Sequence, residues 1–215
     1  MKLYGYYRSS TSYRLRCALE LKGLAYENLP VNLLKSEQKD AAFTSRNPFG
    51  SVPMLEAGGQ DRAQSMAIIE WLDEAYPDSP LLPADPEQRY LARELAYAIA
   101  TELHAPLNLP VLKYLKEEYG QSQEQVGVWY RHWLARTLDP LEQRLAQLKT
   151  GDFLFDAPGF FEVVLMPQVY NAQRFEFDFK DKPHMSRIEA ACLALPPFQR
   201  AHPDAQPDNP DAAKD

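Results

Sequence analysis

The residues whose types and spacing could do chemistry sit near the start of the chain, in Arg8-Ser9-Ser10-Thr11-Ser12-Tyr13-Arg14-Leu15-Arg16. Four consecutive hydroxyl side chains lie there between a short apolar segment and an arginine-rich helix start. A helix N-terminus presents unpaired backbone N–H groups and a partial positive charge, and both favour an anion over its neutral acid. A hydroxyl held there can donate to a thiolate that a ligand brings, which makes the row a candidate thiol-activating site. Ser and Thr are also the preferred caps of ordinary helices, so capping alone accounts for one of them. Any thiol must be borrowed: Cys17 and Cys192 are the only cysteines. With no CxxC pair and no His/Cys cluster, a disulfide scaffold, a metal site and a dithiol centre all lack ligands. Cys17, on the apolar side of its helix, reads as core.

Several elements must position this row. Residues 2–7 are bulky β-formers and predict a buried strand, and from Ser12 the spacing of Leu15, Ala18, Leu19 and Leu21 predicts a helix closed by Lys22-Gly23. Residues 26–33 alternate as an edge strand that tolerates Pro30. A short helix within 36–44 precedes Asn47-Pro48-Phe49-Gly50-Ser51-Val52-Pro53-Met54-Leu55, a turn entering a strand, where Pro53 marks an unusual peptide bond. Gly58-Gly59 then leads through Gln64-Ser65 into a helix ending at Tyr76-Pro77. Residues 1–78 thus form an α/β domain of order β-α-β-α-β-β-α.

Proline recurs through residues 77–86, so a stiff linker is placed at 79–86. Residues 87–203 carry helical periodicity over 88–103, 107–119, 125–148, 161–175 and 188–195 and predict an all-α bundle, with Pro106, Pro110 and Pro140 each marking a start or kink. The proline-rich acidic residues 204–215 predict a loosely attached tail. A net charge of −7 leaves no basic footprint for nucleic acid or an anionic membrane, so a few local arginines and a small anionic ligand fit better. No apolar run is long enough to span a bilayer, which points to a cytoplasmic protein.

This α/β domain with a strand-edge proline, joined by a short linker to an all-helical domain, resembles the cytosolic glutathione transferases, whose first domain is thioredoxin-like. Ser9 to Arg16 is similar to the zeta-class signature, with support from Asn47-Pro48 ahead of Val52-Pro53, Gln64 to Leu72, Pro167 to Phe175, and His202-Pro203-Asp204-Ala205-Gln206-Pro207-Asp208. The resemblance implies a homodimeric, glutathione-dependent cis–trans isomerase that converts maleylacetoacetate to fumarylacetoacetate. Maleylpyruvate isomerisation, glutathione conjugation and non-catalytic glutathione binding are the alternatives. It also implies that Ser9 lies nearest the sulfur, with Ser10 and Thr11 beside it, and that Val52 and Pro53 form a cis bond whose backbone pairs with the cysteinyl amide. Gln64 and Ser65 would hold the γ-glutamyl group, at a helix start suited to carboxylates. Arg8 and Arg174 match arginines near the substrate carboxylates, and His104 matches a proton carrier. Each of these three has an ordinary structural alternative.

The chain departs from the zeta pattern at four points. Thr11 stands where many members have cysteine, and Pro110 where some carry a third arginine. Asp61-Arg62-Ala63 occupies a strand that is usually apolar. Gly159-Phe160-Phe161-Glu162 lacks the hydroxyl of a reciprocal capping box, leaving Glu162 to reach back alone.

Overall fold

The computed structural model describes residues 1–212. Its contacts divide the chain into two units, Met1–Leu81 joined by the residues from Leu193 on, and Leu82–Cys192. In the first unit β1 (Lys2–Gly5), α1 (Ser10–Leu21), β2 (Glu27–Pro30), α2 (Ala41–Thr44), β3 (Met54–Ala57), β4 (Gln60–Ala63) and α3 (Ser65–Ala75) follow the predicted order. The sheet runs β2-β1-β3-β4, with β1 parallel to β2 and antiparallel to β3. This is the thioredoxin-like arrangement. Leu3, Met54 and Leu55 are fully buried, as are Leu15 and Leu19 of α1 and Ile69 and Leu72 of α3.

β2 stops at Pro30 rather than at residue 33. Asn32 caps a 3₁₀ turn over Leu33–Lys35 by accepting from the Leu34 and Lys35 N–H groups, which takes the backbone out of the ladder. The linker starts under restraint: Asp73 Oδ1 accepts from the Lys22 ammonium at 2.9 Å and from Leu81 N at 2.7 Å.

The second unit contains α4 (Pro86–Tyr97), α5 (His104–Leu107), α6 (Leu109–Glu117), α7 (Gln123–Leu148), α8 (Phe160–Arg174) and most of α9 (Pro183–Leu193). A π-helical stretch over Ala98–Leu103 separates α4 from α5, so the single helix predicted for 88–103 is not uniform. Pro110 lies in the first turn of α6 behind the Asn108 cap, whereas α7 runs through Pro140 without ending. At α8, Glu162 does reach back: its carboxylate accepts from Gly159 N at 2.8 Å and from Leu154 N at 2.7 Å. Burial pushes its pKa up, while the two backbone donors work against that shift.

The C-terminal residues correct an expectation. The helical domain was expected to run to residue 203 and the rest to hang loosely, yet α10 (Pro196–Ala201) packs on α1 and belongs to the first unit. A 3₁₀ turn over Pro203–Ala205 follows, and Gln206 and Asn209 are buried. The reason is polar: Gln206 donates to the Arg200 and His202 carbonyls and accepts from Asn28, tying the segment to β2. Predicted tail residues 213–215 lie outside the described residues.

β4 shows why its polar sequence is tolerated. Asp61 forms a bidentate pair with Arg46, and Arg62 stacks on Trp71 at 3.8 Å while donating to the Ala57 carbonyl. Hydrogen bonding from Arg46 holds the Asp61 carboxyl below its ordinary 3.8, so its contribution to stability is present above 3.8 and is lost as pH falls through the lower folded value. Because the pair is partly exposed, Asp61→Asn is expected to lower stability at neutral pH by less than about 1 kcal/mol. Urea midpoints of both proteins across the acid range check this. A gap that widened on acidification would overturn it.

Candidate active site

The hydroxyl row lies where β1 turns into α1. Ser9 N donates to the Tyr6 carbonyl at 3.0 Å, closing a turn over residues 6–9, and Ser9 then caps α1, its side chain accepting from Ser12 N at 3.2 Å. Ser12, fully buried, accepts from Tyr6 N at 3.3 Å. The capping reading and the site reading therefore meet in one residue.

The hydroxyl protons have a defined order. Thr11 Oγ1 donates to the Val52 carbonyl at 2.9 Å and lies 2.9 Å from Ser9 Oγ. A hydroxyl has one proton. With that of Thr11 committed to Val52, Ser9 must be the donor between the two. The chain reads Ser9 to Thr11 to Val52 O, linking the α1 start to the segment before β3. Ser10 is buried beside it at the first position of α1.

Val52-Pro53 is cis, in line with the resemblance. Asn47, fully buried, shapes the approach by donating to the Ser51 carbonyl at 2.7 Å and accepting from Phe49 N at 3.2 Å. Gly50 is required within this turn: its φ is +55°, and a Cβ would lie 2.9 Å from Lys39 Nζ and 3.1 Å from the Gln38 carbonyl. Val52 itself is buried against Tyr6, Tyr7 and Val31, and its N–H has no protein partner among the described residues.

Gln64 precedes α3 with φ +71° and ψ 103°, a backbone state worth about 1–3 kcal/mol of strain in a non-glycine residue. Ser65 follows as the buried first residue of α3, beside the unpaired N–H groups of that helix start.

Arg8 lies in the turn before Ser9, its guanidinium 5.2 Å from the Tyr7 ring centroid, and makes no ion pair among the described residues. Arg174 ends α8 in the second unit, exposed, in a long 3.5 Å contact with Asn171 Oδ1. His104, half-buried, opens α5 where the π-helical stretch ends. Cys17 is fully buried and burial pushes its thiol pKa far up, which fits the core reading and removes it as a nucleophile.

Some positioning residues were not assigned roles from sequence. Asn47 stood in a recognised run without a task, and Arg16 proves to bridge the Tyr7 and Ala201 carbonyls at 2.9 and 2.8 Å. Burial lowers the pKa of the Arg14 guanidinium to about 10. The Asn-Pro-x-Gly spacing and the Arg-x-Arg pair were the available signals.

The sequence family of the glutathione S-transferase N-terminal domain matches residues 1–74. The maleylacetoacetate isomerase of Pseudomonas aeruginosa is 42% identical over 99% of this chain and 100% of its own. A solved maleylpyruvate isomerase, a bacterial zeta-class glutathione transferase, is 43% identical with a TM-score of 0.94, over 97% of this chain and 99% of that one. The chain belongs to the zeta class of glutathione transferases. A maleylacetoacetate isomerase from Methylobacterium extorquens, solved with malonate and glutathione bound, is 36% identical with a TM-score of 0.94 over 98% and 100% of the two chains.

The residues present fit the glutathione that this family uses. A hydroxyl donor stands at a helix start, Val52 offers an N–H without a partner among the described residues beside a cis-proline, and Ser65 opens a second helix. In this zeta-class chain Thr11 does the work of a fastener between α1 and Val52. Thr11→Val, nearly isosteric but without a donor, is expected to cost about 1 kcal/mol, whereas Thr11→Ser should retain the bond. Denaturant unfolding of the three proteins checks this, and a valine variant as stable as the parent removes the fastener.

Proposed function

We propose that this zeta-class enzyme isomerises maleylacetoacetate to fumarylacetoacetate with glutathione as a regenerated cofactor. The observation that carries the reading is the proton order in the hydroxyl chain. Bound glutathione supplies a thiolate that adds to the conjugated cis double bond and leaves once that bond has turned. An ordinary thiol has a pKa of about 8.5, and lowering it costs about 1.4 kcal/mol per unit. Ser9 is the donor best placed to supply this. Swinging its proton from Thr11 to sulfur gives up one hydroxyl–hydroxyl bond and leaves the Thr11–Val52 bond intact, whereas Thr11 could donate only by releasing Val52. The α1 start adds its partial positive charge.

Around that donor, Val52 and Pro53 are proposed to hold the cysteinyl amide, and Gln64 with Ser65 the γ-glutamyl group. Ser10 stands next in line as a hydroxyl donor. Arg8, without an ion pair among the described residues, is the proposed counter-charge for a substrate carboxylate, and fixed cations matter most where charge grows during reaction. Arg174 is proposed as a second carboxylate cation and His104 as a proton carrier. The Methylobacterium relative, solved with malonate and glutathione bound, supports a small dicarboxylate keto acid as substrate. Pro110 supplies no guanidinium where some zeta members have a third arginine, which favours the acetoacetate over the pyruvate. No described helix is long and apolar enough to cross a membrane, and the protein is proposed to work as a cytoplasmic homodimer.

The decisive assay incubates the protein with glutathione and, separately, maleylacetoacetate, maleylpyruvate and an aryl halide, following both isomerisation and thiol loss. Isomerisation of maleylacetoacetate at constant glutathione is expected. Failure to isomerise either keto acid sinks the reading. Ser9→Ala is expected to move the ultraviolet titration of the bound thiolate to higher pH and to cut turnover by about tenfold or more; an unchanged titration and rate transfer the role to Ser10.

A further inference from the structure

The run from His202 to Asp208 is the one sequence motif that the reaction has not used. It ends against the turn that carries Arg8 and Ser9. Asp208 Oδ2 accepts from Tyr7 N at 2.9 Å, across 201 positions of sequence. The Tyr7 carbonyl accepts from Arg16 Nη2 at 2.9 Å, and Arg16 Nε reaches the Ala201 carbonyl at 2.8 Å. Both backbone polar groups of Tyr7 are therefore held by charged side chains, one from the C-terminal segment and one that bridges to it. Arg16 is 1% exposed; burial pulls its pKa down, and Asp208 is among the groups that oppose that shift.

This geometry has a direct bearing on the site. Tyr7 and Arg8 are the two central residues of the turn closed by Ser9 N and the Tyr6 carbonyl. Fixing both polar groups of a turn's second residue holds the peptide planes on either side of it, and together with the closing Ser9 N–Tyr6 O bond this restrains the backbone of the third and fourth residues. The third is Arg8 and the fourth is Ser9. Asp208 is itself presented by a built segment: Gln206 is 4% exposed and bonded on three sides, and Asn209 N donates to the Gln206 carbonyl at 3.0 Å, closing a turn around Asp208.

We propose that Asp208 is a positioning residue of this isomerase, a C-terminal strap whose carboxylate holds the Tyr7 N–H so that Ser9 and Arg8 are aimed before any ligand arrives. The proposal rests on the reading of Ser9 and Arg8 as site residues. It separates hydrogen bonding from charge, because an asparagine at this position keeps an acceptor for Tyr7 N while losing the attraction to Arg16.

The test uses full-length Asp208→Ala and Asp208→Asn. In the ligand-free protein, hydrogen exchange of the amides in residues 6–12 should accelerate about tenfold in the alanine variant, the weight of a hydrogen bond to a charged acceptor. The asparagine variant should stay within about twofold of the parent. With glutathione bound, the alanine variant should titrate its thiolate at higher pH and lose kcat with maleylacetoacetate, and asparagine should restore most of both. An alanine variant that merely melts earlier, with exchange at residues 6–12 and the thiolate titration unchanged, overturns the strap. A parent protein that fails to isomerise maleylacetoacetate sinks the functional reading alone, because the exchange and thiolate measurements still report on Asp208.

Discussion

A helix that begins at Ser10 leaves its first backbone N–H groups without acceptors, and the first unit is arranged around how those groups are met. Ser9 takes the Ser12 N–H, and Ser12 in turn takes the N–H of Tyr6. Both bonds use hydroxyl lone pairs and leave the protons available. The Ser9 and Thr11 protons then run in one direction, ending on the Val52 carbonyl. The helix start is thus ordered by acceptors while its donor capacity stays directed outward along a chain. A sheet in which β1 lies beside β3 is what brings Val52 within reach of Thr11.

Both units secure loops in the same way, with one buried charged side chain gripping two backbone groups. Arg16 holds two carbonyls in the first unit. In the second, Glu162 holds the N–H groups of Leu154 and Gly159, and Glu142 those of His184 and Met185. Charge-assisted bonds of this kind are stronger than neutral ones and fix geometry at two points. They also explain why the missing hydroxyl at Gly159 is tolerated: the carboxylate half of the capping box already meets the backbone donor, and Leu154 adds a second bond that the usual motif does not include.

Local pattern carried most of the fold. The β1–α1 junction and the start of α3 were legible because caps and periodicity act within a few residues, while the cis bond at Val52-Pro53 followed from the family resemblance, Pro53 by itself marking only an unusual peptide bond. Bonds between distant positions were not. Arg46 with Asp61 and Arg62 with Trp71 turn an oddly polar strand into a stable edge, and neither pairing leaves a periodic trace. The π-helical stretch ahead of His104 has no composition of its own. The C-terminal residues misled for a physical reason: proline and acid content signals poor core-forming capacity, yet α10 packs on α1 and the side chains of Gln206 and Asp208 tie the following segment to Asn28 and Tyr7. The proton order at Ser9 and Thr11 could be read only from distances.

The seating of Asp208 on Tyr7 also sets a schedule. During synthesis the first strand and its turn are made well before their carboxylate anchor, which lies 201 positions further along the chain. A contact of such sequence separation cannot form until Asp208 has been added, and contacts of this kind are the slow ones to assemble. The nascent chain therefore carries its hydroxyl row with that turn unanchored until Asp208 is in place. A product truncated before Asp208 retains every residue of the hydroxyl row but lacks the acceptor that holds the Tyr7 N–H.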